Sequence, residues 1–340
     1  MMPARFIHKF KRAWGLKNAP KRLAAVIMAT GLMSAPAWAI TDIDAVVWDS
    51  LEFTGSKLLI KLTSTVERER LPLDQAALEL ISPEGTHPKQ PNGDYVNKTT
   101  ITSSILTNKA VFTLWLNPDL EALQRTALYS GLKDWYRNYR FLDEGAFAQK
   151  IKPASGENKK PWQKWSNIDQ GIHEYLPAES GKSLSESGAI FEAMAQGKIK
   201  RAGDVFSFNV FARDGSLQVT LKAVGTDTIS VDYEHTLDGK TSRVRETANV
   251  LKVSVDARML SKDSKSEDFS FMGYKDSIIL HYDPEFNLPL RLSGDADVVG
   301  HVEIELTKAH FIDKRKYFKS APTANTVMDT MAPVVETTAE

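Results

Sequence analysis

The sequence predicts a mainly β fold, with antiparallel strands curled into a half-open barrel or a sandwich, one amphipathic helix and an irregular middle segment. Three observations lead there. After residue 45 most of the chain breaks into short runs in which apolar and polar residues alternate with a period of two, as half-buried strands do. Tight-turn text separates the runs, including Thr54-Gly55-Ser56, Asn108-Lys109, Asp214-Gly215, Asp238-Gly239 and Gly294-Asp295, and turns this short join antiparallel neighbours. Only residues 118–140 combine helical apolar spacing with helix-start text over a long stretch.

Composition agrees with a packed fold. The 340 residues are 42% apolar and 25% charged, which suffices for one large core or two medium ones. There is no cysteine. Disulfides, thiolate zinc sites, iron–sulfur clusters, a cysteine nucleophile and a lipid-modified N-terminal cysteine are therefore excluded together.

The first 39 residues carry the three parts of an export signal. Arg5, Lys9, Lys11, Arg12, Lys17, Lys21 and Arg22 form a basic region without acids, Leu23 to Ala39 form the apolar run, and Ala37-Trp38-Ala39 supply small residues for cleavage after Ala39. An uncleaved anchor is the alternative, but Gly31, Ser34 and Pro36 interrupt a run already short for a hydrocarbon core of ~30 Å. Seven of the 43 basic residues and none of the 43 acidic ones lie in this region, so the remainder carries a formal charge of −7. That balance argues against nucleic acid or anionic lipid head groups as obligate partners. Export without disulfides points to a bacterial periplasm.

Two β-rich parts follow, residues 40–150 and 187–318. In the first, strands are expected at 45–53 and 57–66, at 77–82, at 99–106 and at 111–116. The helix is expected at 118–140, with Asn117 as cap, Pro118 in the first helical position, and Asp119 and Glu121 facing the dipole. Gly131 marks a place where it can break in two. Residues 151–186 show neither period and read as an irregular linker. Residues 187–196 read as a short amphipathic helix stopped by Gly197. Strands return at 205–211, 217–223, 228–235, 242–257, 276–283, 288–293 and 298–311, and the tail from 319 to 340 reads as disordered. The run 205–211 is apolar on both faces, which suits a strand lining a cavity.

The text YDPEFNLPLRLSGDADVVGHVEIELTKAHF (Tyr282 to Phe311) resembles the closing strands of the bacterial periplasmic family known as domain of unknown function 3108. The features carrying the resemblance are an acidic-Pro turn, an apolar-Pro-Leu strand and a long last strand with Gly300, Val302, Ile304 and Leu306. VFSFNVFARDGSLQVTLKAVGTDTISVDY is similar to the family's earlier strands, and LQRTALYSGLKDWYRNYRFLDEGAFAQKIKP to a stretch of exported proteins carrying such a domain. The resemblance implies a lipocalin-like β fold and a periplasmic address. It brings no activity and no catalytic residues.

The carboxylate pairs Asp143 with Glu144, Glu267 with Asp268, and Glu303 with Glu305 could serve a hydrolase, yet solvated turns and strand faces account for all three. His301, Glu303 and Glu305, with His281 nearby, could present metal ligands from one strand face, but the apolar Val302, Ile304 and Leu306 make that face the solvent side. HExxH, GxSxG and phosphate-loop motifs are absent, so no catalytic residue, metal or cofactor is assigned. The distinctive feature is the aromatic group Trp135, Tyr136, Tyr139, Trp162 and Trp165 beside Lys133, Arg137, Arg140, Lys159, Lys160 and Lys164. Such a group either stacks on sugars and holds anions, or anchors irregular segments to the sheet. The expectation is a non-enzymatic periplasmic protein that captures a lipidic or glycan envelope molecule at a barrel mouth formed by Trp135, Tyr139, Arg140, Trp162 and Trp165. A glycan hydrolase using Asp143 and Glu144, and a scaffold binding a protein partner through a sheet edge, are the alternatives.

Overall fold

The computed structural model describes residues 46–57, 60–175, 183–212, 215–260, 269–296 and 300–313; the expected signal (1–39), the tail (319–340) and the Glu267–Asp268 pair lie outside them. Among the described residues, fourteen strands form one sheet in the order β8-β7-β6-β5-β4-β3-β2-β1-β14-β13-β12-β11-β10-β9. Strands β1 (Val46–Lys57), β2 (Ile60–Pro72), β3 (Tyr95–Ile105), β4 (Asn108–Leu116), β5 (Ala122–Ser130), β6 (Trp135–Phe141), β7 (Gly145–Lys152) and β8 (Asn167–Glu174) make an antiparallel meander. Strands β9 (Val205–Ala212), β10 (Gly215–Leu237), β11 (Lys240–Met259), β12 (Tyr274–Asp283), β13 (Leu288–Ala296) and β14 (Gly300–Asp313) make a second one. Strand β14 joins the two, pairing β13 through Gly300–Glu305 and β1 through Glu305–Asp313.

The second meander closes on itself. The far end of the 23-residue β10 pairs in parallel with β14, Glu234 opposite Lys308 through Leu237 opposite Phe311, completing a ring of β10 to β14. A bulge between Ala223 and Gly225 bends β10 on the way, which is what bulges supply to a closing sheet. At the other end β8 and β9 terminate the sheet. Residues Leu184 and Ser185 lie between the halves there: Ser185 N–H donates to the Asn209 carbonyl, Phe211 N–H to the Ser185 carbonyl, and Ala122 N–H to the Leu184 carbonyl. The Phe211 ring packs edge-on against Tyr139 and Phe141, each at 5.6 Å between centroids.

A short helix, α2 (Ala189–Ala195), fills the interior. It was expected to be amphipathic, but Ala189 through Met194 are all buried because strands surround it. Its stop at Gly197 (φ 64°) matches the sequence: Gly197 N–H donates to Met194 and Lys198 N–H to Ala193, the paired bonds of a Schellman cap. Phe191 meets Phe53 on one side and Phe271 on the other, and the Tyr282 hydroxyl donates to the Met194 carbonyl at 2.9 Å. Glu192 takes a forked bond from Arg68, Nε at 2.6 Å and Nη2 at 2.8 Å, and a third from the Thr99 hydroxyl at 2.8 Å. Arg68 lies over the Trp48 ring at 4.3 Å and donates to the Trp48 carbonyl. The helix thereby ties the first meander to the closed ring.

Three sequence expectations are corrected. Residues 118–140 are not a helix but the end of the β4–β5 turn and the hairpin β5–β6. Asn117-Pro118-Asp119-Leu120 is a turn closed by Leu120 N–H to the Asn117 carbonyl, and Asn117 N–H then pairs with the Glu121 carbonyl to begin the hairpin. Asn and Pro serve helix starts and turns equally, so only pairing with β4 decides between them. Residues 77–82 are not a strand; α1 (Leu73–Glu79) occupies the first part of them. The segment 151–186 contains the end of β7, a 3₁₀ turn at Trp162–Lys164 and β8. Strand β8 carries little signal in the sequence because it is an edge strand, with every residue exposed except His173.

Candidate functional site on the concave face

Antiparallel partners directly opposite one another share a side of the sheet. Two rows of such partners cross seven strands. One runs Arg68, Thr99, Leu114, Arg125, Tyr139, Ala148, Gly171 from β2 to β8. The other runs Val66, Ile101, Phe112, Ala127, Arg137, Lys150, Asp169. Val66 and Ile101 belong to the core around α2, so both rows lie on the concave face. They begin in the dry interior and end at the open edge.

The three arginines on these rows sit in graded surroundings. Arg68 is buried and matched by Glu192, whose carboxyl is held below the usual range by Arg68 and Thr99 against the opposing effect of burial. Arg125 is part-exposed and donates through Nη1 to both oxygens of Glu186 at 3.2 Å. Glu186 is itself buried, and that burial pushes its carboxyl up despite Arg125. Arg137 has no carboxylate partner among the described residues. Its guanidinium lies 5.6 Å from the Trp135 ring and 5.8 Å from the Tyr139 ring, and Nη1 donates to the Tyr139 hydroxyl at 3.3 Å.

Two pockets open on this face. The first, about 130 Å³, is walled by Ile101, Phe112, Leu114 and Phe271, with Arg125 and Glu186 at its polar side. The second, about 210 Å³, lies over β6, β7 and β8 and is bounded by Arg137, Tyr139, Lys150, Asp169 and His173. Its floor is Ala148 and Gly171, whose small size leaves the hollow open. The guanidinium of Arg125, which lines the first pocket, is 5.8 Å from the centre of the Tyr139 ring, which lines the second.

The alternation of strand β6 divides the residues that the sequence had grouped. Trp135 and Tyr139 are on the concave face. Arg140 is on the opposite face, and its guanidinium is spent on the carbonyls of Ile81, Leu123, Phe141 and Lys89, with burial lowering its pKa to about 10. Trp162 is on that outer side too, stacked on Tyr136 at 3.6 Å and 8°. Trp165 is buried, its indole N–H donating to the Lys160 carbonyl. The contacts of these three run to other segments of the chain, outside both pockets. A helix would have set Trp135, Tyr139 and Arg140 on nearby faces; a strand sets Arg140 opposite. Arg125, Arg137, Lys150, Gly171, His173 and Glu186 were missed as a group. Reading 122–141 with a period of two would have aligned Arg125 and Tyr129 with Trp135, Arg137 and Tyr139.

The other candidates lie elsewhere. Asp143 and Glu144 are exposed in the β6–β7 turn, outside both pockets. Glu303 and Glu305 face solvent and pair with Arg291, and His301 is exposed beside Asp295 at 3.0 Å. His281 is buried with Nε2 3.2 Å from Asp227, and burial lowers its pKa. Among the described residues, no group of three His, Asp or Glu is placed to hold a metal ion.

The fold and site define a mainly antiparallel, barrel-like protein with a helix plugging its interior and two pockets on its concave face. No family model matches the chain, so the likeness to domain of unknown function 3108 rests on the quoted motifs alone. No curated protein matches it. Among solved structures it is similar to the crystal structure of a beta-barrel-like protein of domain of unknown function DUF1849 from Brucella abortus, at 8% identity and a TM-score of 0.39, over 79% of this chain and 97% of that one.

Proposed function

We propose that this is an exported periplasmic protein whose concave face binds a lipidic or glycan molecule of the cell envelope without covalent chemistry. The observation that carries the reading is Tyr139, which lines the polar pocket and has two guanidinium groups 5.8 Å from its ring centre, that of Arg125 from the apolar pocket and that of Arg137 from the polar one. Pockets of mixed lining, with few charged groups at fixed positions, suit capture of a molecule that is apolar at one end and polar at the other. The periplasmic address is supported by the basic, apolar and small-residue plan of residues 1–39.

The test is native mass spectrometry of the protein from its own periplasm, followed by denaturation and identification of what is released. A chain beginning at Ile40 with a bound envelope molecule is expected. Tyr139→Leu and Arg125→Gln should release it, whereas Trp162→Ala, on the outer face, should keep it. A chain that carries nothing, and takes up nothing from an envelope extract, overturns the reading.

A further inference from the structure

We propose that the hollow over β6, β7 and β8 is a phosphate subsite, taking the phosphorylated headgroup of the molecule the concave face binds; this rests on the functional reading above. Arg137 is the central observation. Guanidinium groups carry five N–H donors, and among the described residues only the Tyr139 hydroxyl accepts one of them. The Trp135 and Tyr139 rings hold the group in place from its own strand, so ordering it for a ligand costs little. Arg68 and Arg125, on the same face, each have a buried glutamate; Arg137 has the hollow instead.

The surrounding charges point the same way. Lys150 lies directly opposite Arg137 on the neighbouring strand and lines the same hollow, so a second cationic group borders the space beside the guanidinium. Asp169 faces Lys150 from β8, and His173 lies along the same strand, so polar groups for ligand hydroxyls border the hollow beside Arg137. A phosphate fits better than a planar carboxylate because its oxygens accept from Arg137 and from Lys150 on different sides.

Gly171 gives the proposal an independent handle. A Cβ built there meets nothing within 4 Å, and its backbone is not left-handed, so neither crowding nor conformation demands glycine. What glycine provides is the open space above the floor. A valine would fill that space in a strand that tolerates it.

The experiment is calorimetric titration of the purified protein with glycerol 3-phosphate, inorganic phosphate, and vesicles of phosphatidylglycerol or phosphatidylcholine. Arg137→Gln and Gly171→Val should weaken glycerol 3-phosphate binding at least tenfold with unchanged circular dichroism and Tm, and Trp162→Phe should bind like the parent. Phosphatidylglycerol binding lost in the same two variants assigns the phosphate to a lipid headgroup. Inorganic phosphate binding as well as glycerol 3-phosphate assigns it to the free ion. Absence of binding to every phosphate, or full binding by both variants, overturns the subsite. If both variants still carry the same co-purified molecule as the parent, the subsite fails while the concave-face reading stands. A parent that carries nothing and binds nothing ends both.

Discussion

Glu192 is the point at which the fold can be tested most sharply. Its carboxylate and the Arg68 guanidinium are both buried, with side-chain exposures of 1% and 2%. Replacing Glu192 by Met leaves a buried guanidinium without its counter-charge and the Thr99 hydroxyl without its acceptor. Removing one partner of a buried pair costs about 3–5 kcal/mol, because the remaining charge stays desolvated. Replacing both, Arg68→Met with Glu192→Met, removes the charges together and should recover at least half of that loss. Urea unfolding followed by tryptophan fluorescence measures each variant, and the two single changes and the double change form a thermodynamic cycle. The acid side adds a second readout. The folded Glu192 pKa lies below its unfolded value of 4.5, so the stability it contributes is present above pH 4.5 and is lost as pH falls through the folded value. Glu192→Met should remove that part of the acid dependence. Single variants within about 1 kcal/mol of the parent would refute the idea that this pair fastens α2 to the first meander.

Glu186 has the opposite sign. Its folded pKa is raised, so the folded state holds the proton more tightly, and stability falls as pH rises from 4.5 towards the folded value; Glu186→Gln should flatten that slope in chemical denaturation between pH 4 and 7. Arg140→Met strips the carbonyls of Ile81, Leu123 and Lys89 of a donor, and a loss of about 3 kcal/mol is expected by urea unfolding. Trp162→Ala removes the stack on Tyr136 and should lower Tm without altering ligand retention; loss of ligand in this variant would return the site to the outer face.

Strands whose two sides differ in burial wrote that difference into the chain. Leu217, Val219, Leu221 and Ala223 alternate with Gln218, Thr220 and Lys222, and β10 is there; Val302, Ile304 and Leu306 alternate with Glu303 and Glu305, and β14 is there. The stop of α2 at Gly197 was equally legible, because a left-handed residue after a helix calls for glycine. Strand β8 was not, since an exposed edge buries neither of its sides and leaves only Ile168 and Ile172 as apolar text. Residues 118–140 satisfied two readings at once. Leu120, Leu123, Ala127 and Leu128 are spaced for a helix, while Arg125, Ala127 and Tyr129 are spaced for a strand, and local propensity does not choose between them.

By itself, then, the sequence determined that the chain is mainly antiparallel β, that it lacks all cysteine chemistry, and that aromatic and basic residues concentrate between Trp135 and Trp165. The tertiary structure decided which of those residues act together. Hydrogen bonding of β5 and β6 into the sheet fixed a period of two, and that period sends Trp135, Arg137 and Tyr139 to the concave face and Tyr136 and Arg140 to the other. The register of β7 and β8 then set Lys150, Asp169 and the small Ala148 and Gly171 beside Arg137. Sequence neighbours part company in this way because a strand alternates its side chains, and residues as distant as Arg125 and Glu186 meet because Leu184, bonded to Ala122 of β5, brings the chain before α2 alongside that strand.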